Sequence, residues 1–321
     1  MARRRNVDRI PLVGSLISKT TVKKMSKELD AKLKTALDES RLLILGAQVL
    51  FGFAFQAAFQ DLFSEIGSIG RFFHILTLCL LCLSVAFLVV PSFYHQIACN
   101  GCSLHRAVHV ATSFANWSLF PLTLGLGASG YVIIARLAGP EAGFALGAAL
   151  TATALCLLYG IGLALRKSPK ALPPEGNTPL NTKIEQMLTE ARVIIPGGQA
   201  LLGFQFVATL TKSFDALPLG IKWLHVSSLA AVSLSVLLLM TPAALHRLAF
   251  HGEDDPQFFI IGSRLVIAAA LPLALGISGD ISVVVFKITE SGSVSAAVGI
   301  AAAAIFLSAW YLYPSLAVIR K

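Results

Sequence analysis

The sequence predicts an all-α, polytopic integral membrane protein with eight transmembrane helices arranged as two parallel four-helix repeats. The first observation behind this prediction is composition. Of the 321 residues, 55% are hydrophobic and only 13% are charged, and the mean hydropathy is +0.75. A soluble chain of this length could not bury that much apolar surface in one core. The second observation is a period of 151 residues, at which the two halves of the chain match without a gap for about 60 positions.

Polar residues and glycines recur at this period, although they are scarce in the rest of the chain. Their recurrence at matching depths indicates that one structural unit has been duplicated. The matching pairs include Glu39 with Glu190, Arg41 with Arg192, Gly46 with Gly197, Gln48 with Gln199, Gly52 with Gly203, His74 with His225, and His95 with His246.

Runs of about 20 apolar residues predict the individual spans, because that length crosses about 30 Å of hydrocarbon as a helix. Backbone groups in lipid must find partners within the segment, so helices are expected rather than open strands. Four spans per copy is an even number, so the second copy enters the membrane in the same direction as the first. The predicted spans are 42–60, 72–94, 108–135 and 143–165 in the first copy, and 193–211, 223–245, 259–286 and 294–316 in the second.

The predicted domain organisation has four parts. Residues 1–36 form a basic N-terminal arm with an amphipathic helix, and 37–166 form the first membrane repeat. Residues 167–187 form a proline-rich linker with a short helix, and 188–321 form the second repeat. Apolar residues of the arm recur every three or four positions among lysines, so its helix is expected to lie on the membrane surface. Its lysines are candidates for binding anionic lipid headgroups, and a plain positive-inside anchor is the alternative. These apolar residues are Val22, Met25, Leu29, Leu33 and Leu37.

Lysine and arginine are concentrated on one side of the eight-span arrangement, in the arm, the linker and the C-terminal residues Arg320 and Lys321. Positively charged segments remain on the cytoplasmic side, so both termini are predicted to be cytoplasmic. The same distribution explains the net charge of +9, and nucleic-acid binding is therefore not predicted.

A polar stripe is predicted on the first helix of each copy. Arg41, Gln48 and Gln56 share one face in the first copy, and Arg192 and Gln199 repeat the pattern in the second. Glutamine can hydrogen-bond between transmembrane helices, so this stripe favours helix association over a conduction path.

A second repeated motif, which contains Pro91 and His95 in one copy and Pro242 and His246 in the other, ends the second helix. The segments Glu190–Phe206 and Thr241–Phe250 resemble a four-span bacterial membrane-protein family of unknown function that is sometimes labelled a sodium:proton antiporter. The resemblance implies a four-helix unit for each copy and a location in the bacterial inner membrane. It assigns no activity.

Asp280 is the one carboxylate inside a predicted span, on the outer half of 259–286. Proton-coupled carriers place acidic residues within the membrane, so Asp280 is a candidate for ion coupling. A helix-packing role and exposure at the outer interface are the alternatives. Its repeat equivalent is Ser129, so the carboxylate occurs in one copy only.

Cysteine and histidine cluster after the second helix of the first copy. The types and spacing of these residues are those of a zinc site, although reduced cysteines without a metal are the default in the cytosol. The four repeated histidines could ligate haem if the second helices of the two copies faced each other. No cofactor is predicted outright. The candidate zinc ligands are His95, Cys99, Cys102, His105 and His109.

The leading functional prediction is a non-catalytic scaffold or accessory membrane protein, because no catalytic set is recognisable and the doubled residues resemble helix-packing positions. A proton- or cation-coupled transporter with its path between the repeats is the first alternative. A haem- or metal-binding membrane subunit is the second. A homo-oligomer or another membrane protein is the expected partner, together with the lipid bilayer.

Overall fold

The computed structural model describes residues 11–160 and 178–319. The basic residues at 1–10, most of the proline-rich linker and the last two residues lie outside this range. The described residues form eight long helices, and two of these contain a π-helical turn, at Cys156–Gly160 and Ser308–Leu312. In chain order the helices are α1 (Pro11–Ala57), α2 (Ser68–Cys99), α3 (His105–Ala138), α4 (Pro140–Gly160), α5 (Leu180–Thr209), α6 (Leu219–Leu248), α7 (Pro256–Thr289) and α8 (Gly292–Ile319).

All eight helices contain a segment long and apolar enough to cross a membrane, which confirms the predicted all-α class and the number of spans. The helices are longer than the apolar runs. The run 72–94, for example, lies within Ser68–Cys99. A hydropathy run stops at the first polar residues, whereas the helix continues through them. We call the end of the bundle that contains Lys34 and Arg106 the basic end, and the end that contains Asp61 and Asp215 the opposite end.

The amphipathic segment of the arm is not a separate surface helix. It is the first part of α1, which continues without a break from Pro11 to Ala57. Leu29, Leu33 and Leu37 are buried within the protein, where α1 packs along α5. Burial against a neighbouring helix removes this apolar face from water as effectively as a lipid surface would. The side chains of Val22 and Met25 lie outside the described residues.

Helices α1 and α5 lie side by side and join the two copies. Lys34 donates to Glu185 at 2.7 Å near the basic end, and the rings of Phe53 and Phe204 lie 4.7 Å apart between centroids near the opposite end. Both pairs join residues that are 151 positions apart. Equivalent residues that meet at two levels require helices running in the same direction, so the two repeats are parallel.

The remaining helices do not repeat the same contacts. In the second copy, α8 crosses to α2 of the first copy, where Trp310 Nε1 donates to the Ala86 carbonyl at 2.9 Å. The rings of Tyr94 and Tyr313 extend this contact at 5.5 Å between centroids. Helix α4, the equivalent of α8, packs chiefly against α3. The fold therefore has two equivalent central helices and non-equivalent flanks.

Candidate functional site

A buried polar cluster lies near the opposite end of the second copy. Gln205 of α5 donates from Nε2 to both carboxylate oxygens of Asp280 on α7, each at 2.7 Å. Nδ1 of His225 on α6 lies 4.0 Å from Oδ1 of Asp280. All three side chains are 0% exposed. A carboxylate removed from water in this way must be paired or protonated, and the Gln205 amide is its hydrogen-bond donor. Nε2 of His225 lies 3.2 Å from the Gln205 carbonyl, so the imidazole is held beside the carboxylate without a hydrogen bond to it.

Three helices that are each long and apolar enough to cross a membrane bring this cluster together. Gln205, His225 and Asp280 lie four, six and nine residues from the nearest ends of their helices, which corresponds to about 6, 9 and 14 Å along the axes. The His225 ring stacks on Phe55 of α1 at 5.8 Å and meets Phe214 edge-on at 5.0 Å. These aromatic rings cover the imidazole and keep its surroundings apolar.

The first copy lacks most of this cluster. His74 is equivalent to His225, but Ala54 stands where the second copy has Gln205, and Ser129 stands where it has Asp280. Charge alone singled out Asp280 in the sequence, whereas Gln205 was missed. The sequence does contain a signal for Gln205. The equivalent position in the first copy is Ala54, which has no side-chain amide, so this glutamine occurs in one copy only, as Asp280 does.

A second buried cluster joins the copies near the basic end. His95 Nδ1 of α2 lies 2.6 Å from Glu190 Oε1 of α5, and Gln96 Nε2 donates to Glu190 Oε2 at 2.6 Å. Glu190 is 2% exposed, and its two partners are 1% and 3% exposed. The equivalent Glu39 is exposed, so this contact forms only once.

Between the clusters, Gln48 of α1 packs against Gly197 of α5. Gln48 is 4% exposed, and a Cβ atom on Gly197 would overlap its side-chain amide. The absence of a side chain at Gly197 is therefore what lets the glutamine enter the interface. Glu190, Gly197 and Gln205 are all buried on one side of α5, about 10 and 12 Å apart along its axis.

Comparison with known proteins is informative about the family alone. A family model described as a family of unknown function, DUF6328, matches residues 23–161 and again residues 177–314. The chain belongs to DUF6328. The double match agrees with the tandem duplication, and each DUF6328 repeat contains four of the helices. No curated protein and no solved structure matches the chain.

The predicted polar stripe is divided among different surroundings in the two DUF6328 repeats. In the first repeat, Gln48 is buried and Gln56 is half-buried, while Arg41 is half-buried and forms an ion pair with Asp38. In the second repeat, Arg192 and Gln199 are exposed on the bundle surface. Asp280, in turn, has Gln205 as its hydrogen-bond partner. The residues of the predicted stripe therefore lie in different surroundings and do not form one polar cluster.

The predicted zinc ligands of the first DUF6328 repeat surround the turn between α2 and α3. His95 pairs with Glu190, Cys99 is buried as the last residue of α2, and His109 is exposed on α3. Cys102 and His105 are half-buried at the turn. In residues 11–160 and 178–319, no group of three or more His, Cys, Asp or Glu residues is arranged to hold a metal ion. The zinc site stays a prediction from sequence spacing.

The histidine pairing that would ligate haem requires α2 and α6 to face each other, but α1 and α5 form the pair of equivalent helices between the copies. His95 contacts Glu190, whereas the ring of its equivalent His246 lies tilted against Phe258 at 4.7 Å between centroids. The two residues of this pair therefore have different partners, and neither partner is the other histidine.

Proposed function

We propose that this multi-pass membrane protein is a proton- or cation-coupled carrier that uses Asp280. The observation that carries the proposal is the enclosure of a carboxylate within a membrane span, with a glutamine amide on both of its oxygens and a histidine 4.0 Å away. Ionisable groups at such depth are costly, and their usual role is in ion or proton pathways. Asp280 can exchange a proton or a small cation for the contacts with Gln205 and His225.

The pair of Glu190 and His95 supports the same proposal, because it places a second carboxylate and imidazole towards the other end of α5. Gln48 lies between the two clusters at the interface of the copies. A carrier that alternates its access needs polar groups on both sides of a closed, apolar middle. In this chain, Ile194 and Leu201 are buried on α5 between Glu190 and Gln205.

A cavity of about 170 Å³ opens between α1 and α5 at the basic end. Its lining includes Lys34, Asp38, Glu185, Gln186 and Thr189, the last of which directly precedes Glu190. Its charged walls suit a hydrated ion. We therefore assign it the role of the entrance nearest to Glu190.

We also propose that the protein resides in the bacterial inner membrane with both termini in the cytoplasm. The support is the accumulation of lysine and arginine at the basic end, in the arm and in the linker. We further propose that lysines and arginines of the arm bind the anionic lipid headgroups of the cytoplasmic leaflet.

Transport is tested with purified protein in proteoliposomes, under a pH or sodium gradient and with an internal pH dye. The intact protein is expected to dissipate the gradient, and Asp280→Asn is expected to abolish the flux while it keeps an acceptor for the Gln205 amide. Glu39→Gln, which changes an exposed carboxylate, is the matched control and is expected to transport normally. Equal flux with intact protein and with Asp280→Asn would contradict the proposal, as would a lack of flux under both gradients.

A scaffold is the second proposed function, and one observation favours it. Gln199 exposes its side chain on the surface of α5 within a span, one turn from Gly203, where nothing lies within 4 Å of a Cβ position. An amide facing lipid gains from a hydrogen bond to another helix, either of a second copy or of a different membrane protein. Cross-linking through Gln199→Cys in native membranes is expected to give a dimer or a hetero-complex under this proposal, and only monomer without it.

A further inference from the structure

The first copy contains a cavity at the position that the Asp280 cluster occupies in the second copy. Its volume is about 250 Å³, and it lies among α1, α2 and α3. Ala54, His74 and Ser129 line it, and these are the equivalents of Gln205, His225 and Asp280. Alanine and serine are shorter than glutamine and aspartate, so the volume filled by a side-chain pair in one copy is open in the other.

The polar atoms of this cavity are hydrogen-bond acceptors. The hydroxyl of Thr77 donates to the Phe73 carbonyl at 2.9 Å, and the hydroxyl of Ser129 donates to the Gly125 carbonyl at 2.9 Å. Each hydroxyl has therefore used its only hydrogen and retains a lone pair. The lining contains no charged side chain, so an ionic ligand would find no counter-charge there.

His74 adds a third acceptor. Its ring is 5% exposed and interacts with the backbone of Ala54. The equivalent His225 directs Nε2 at the carbonyl of Gln205, which is the repeat equivalent of Ala54. In a neutral imidazole one ring nitrogen donates and the other accepts, so a ring that donates to the Ala54 backbone keeps one nitrogen as an acceptor. A buried acceptor without a partner costs about 1–3 kcal/mol, so a ligand that donates a hydrogen bond to it gains affinity.

The rim of the cavity is apolar and lies on the outer surface of the bundle. Phe53 is 59% exposed and Ile133 is 60% exposed, and Leu50 completes the rim at 36%. These residues belong to spans, so their exposed surface faces acyl chains. A ligand reaches this cavity sideways from the bilayer and must itself be lipophilic.

We propose that this cavity, lined by His74, Thr77 and Ser129, binds a bilayer-dissolved lipophile through its hydroxyl group. The apolar part of the ligand lies against the rim, and the hydroxyl donates to an acceptor inside. This site involves neither Asp280 nor Gln205, so it goes beyond the proposed transport function and stands independently of it. The shared chemistry fits a membrane quinol and a lipid alcohol such as diacylglycerol.

The test uses the intact protein in phospholipid nanodiscs with a photoreactive long-chain alcohol, and compares it with the methyl ether of the same probe. Mass spectrometry then locates the labelled peptides. The alcohol is expected to label the segments around Ala54 and Ser129 at least about fivefold more than the ether, because the ether lacks the hydrogen that one hydrogen bond requires. Equal labelling by both probes would overturn the proposal.

Two variants locate the site. Ala54→Gln with Ser129→Asp copies the second repeat into the first and is expected to remove the labelling by filling the cavity. His74→Phe keeps most of the volume but removes one of the three acceptors, so alcohol labelling should fall towards the level of the ether. Ala149→Gln, on the exposed side of α4, is the matched control and should label normally. Undiminished labelling in both site variants would overturn the proposal, even if one of them folded poorly.

Competition with unlabelled lipids shows which class of hydroxyl-bearing molecule binds in the cavity. Unlabelled short-chain ubiquinol and dioleoylglycerol are added separately before illumination. Protection by the quinol supports the site and assigns it to a membrane quinol. Protection by the diacylglycerol supports the site and assigns it to a lipid alcohol.

Discussion

Phe53 and Phe204 occupy the same position in the two copies, and their rings are in contact, 4.7 Å apart between centroids and tilted by 57°. A contact between equivalent residues places them next to the local axis that relates α1 to α5. The contact is nevertheless not symmetric in detail. The Phe204 ring fills the space beside Gly52, whereas Gly203 has nothing within 4 Å of a Cβ position.

Cross-linking tests this arrangement. In a cysteine-free background with a protease site in the linker, Phe53→Cys with Phe204→Cys is expected to keep the two halves joined after cleavage when a short thiol cross-linker is added. The reason is that both side chains meet at the interface. Denaturing gel electrophoresis measures the joined fraction. Gly46→Cys with Gly203→Cys is the control, because these positions lie about 9 Å apart in height along the helices. Separation of the halves in the first pair would contradict the observed packing.

Glu190 and Glu39 are equivalent in sequence, but one is buried and the other is exposed. Substituting each of them by alanine therefore tests how much the buried contact contributes to the free energy of unfolding. Glu190→Ala leaves His95 and Gln96 buried without their acceptor and is expected to lower the free energy of unfolding by about 3 kcal/mol. Glu39→Ala changes an exposed side chain and is expected to stay within about 0.5 kcal/mol of the intact protein. Denaturant titration in mixed micelles measures both. Equal effects would show that the buried contact adds no stability.

Gly197 and Gly46 make a second matched pair. In Gly197→Ala the new Cβ overlaps the Gln48 amide and lies 2.9 Å from Gln48 Cβ, so α1 and α5 must separate slightly, at a cost of about 1–3 kcal/mol. In Gly46→Ala nothing lies within 4 Å of the new atom, and alanine is favoured over glycine in a helix by about 0.5–1 kcal/mol. The two substitutions are expected to shift the unfolding midpoint in opposite directions. A loss of stability in both would place Gly46 in a contact that the structure does not contain.

A double-mutant cycle measures the pairing of Gln205 with Asp280. Gln205→Ala leaves a buried carboxyl group without its donor, and Asp280→Ser leaves the amide without its acceptor. Each single change is expected to cost about 2–3 kcal/mol. The double variant contains the residues that the first copy has at Ala54 and Ser129, and it should cost about 1–2 kcal/mol less than the sum of the single changes. Strict additivity in unfolding experiments would mean that the two side chains do not interact.

Much of the candidate site could not be predicted from the sequence. Asp280 stands out because it is a charged residue in an apolar run, and that is a property of one position. Its partner Gln205 is one of several glutamines in the predicted spans. The period distinguishes it from the repeated pair Gln48 and Gln199, because its equivalent is Ala54, but does not show which glutamine meets Asp280. Packing decides this, since Gln205 turns towards α7, Gln48 towards Gly197, and Gln199 towards the outside.

The sequence by itself determined the all-α class, the eight spans, the duplication and the parallel direction of the copies. Each of these follows from the order of apolar and polar residues along the chain, because transfer into lipid depends on local hydrophobicity. Only the tertiary structure decided that α1 and α5 join the copies, that α8 crosses to α2, and that equivalent residues such as Glu39 and Glu190 have different partners. Those choices depend on how side chains of distant segments fit together, and lipid-facing and protein-facing surfaces have the same apolar composition.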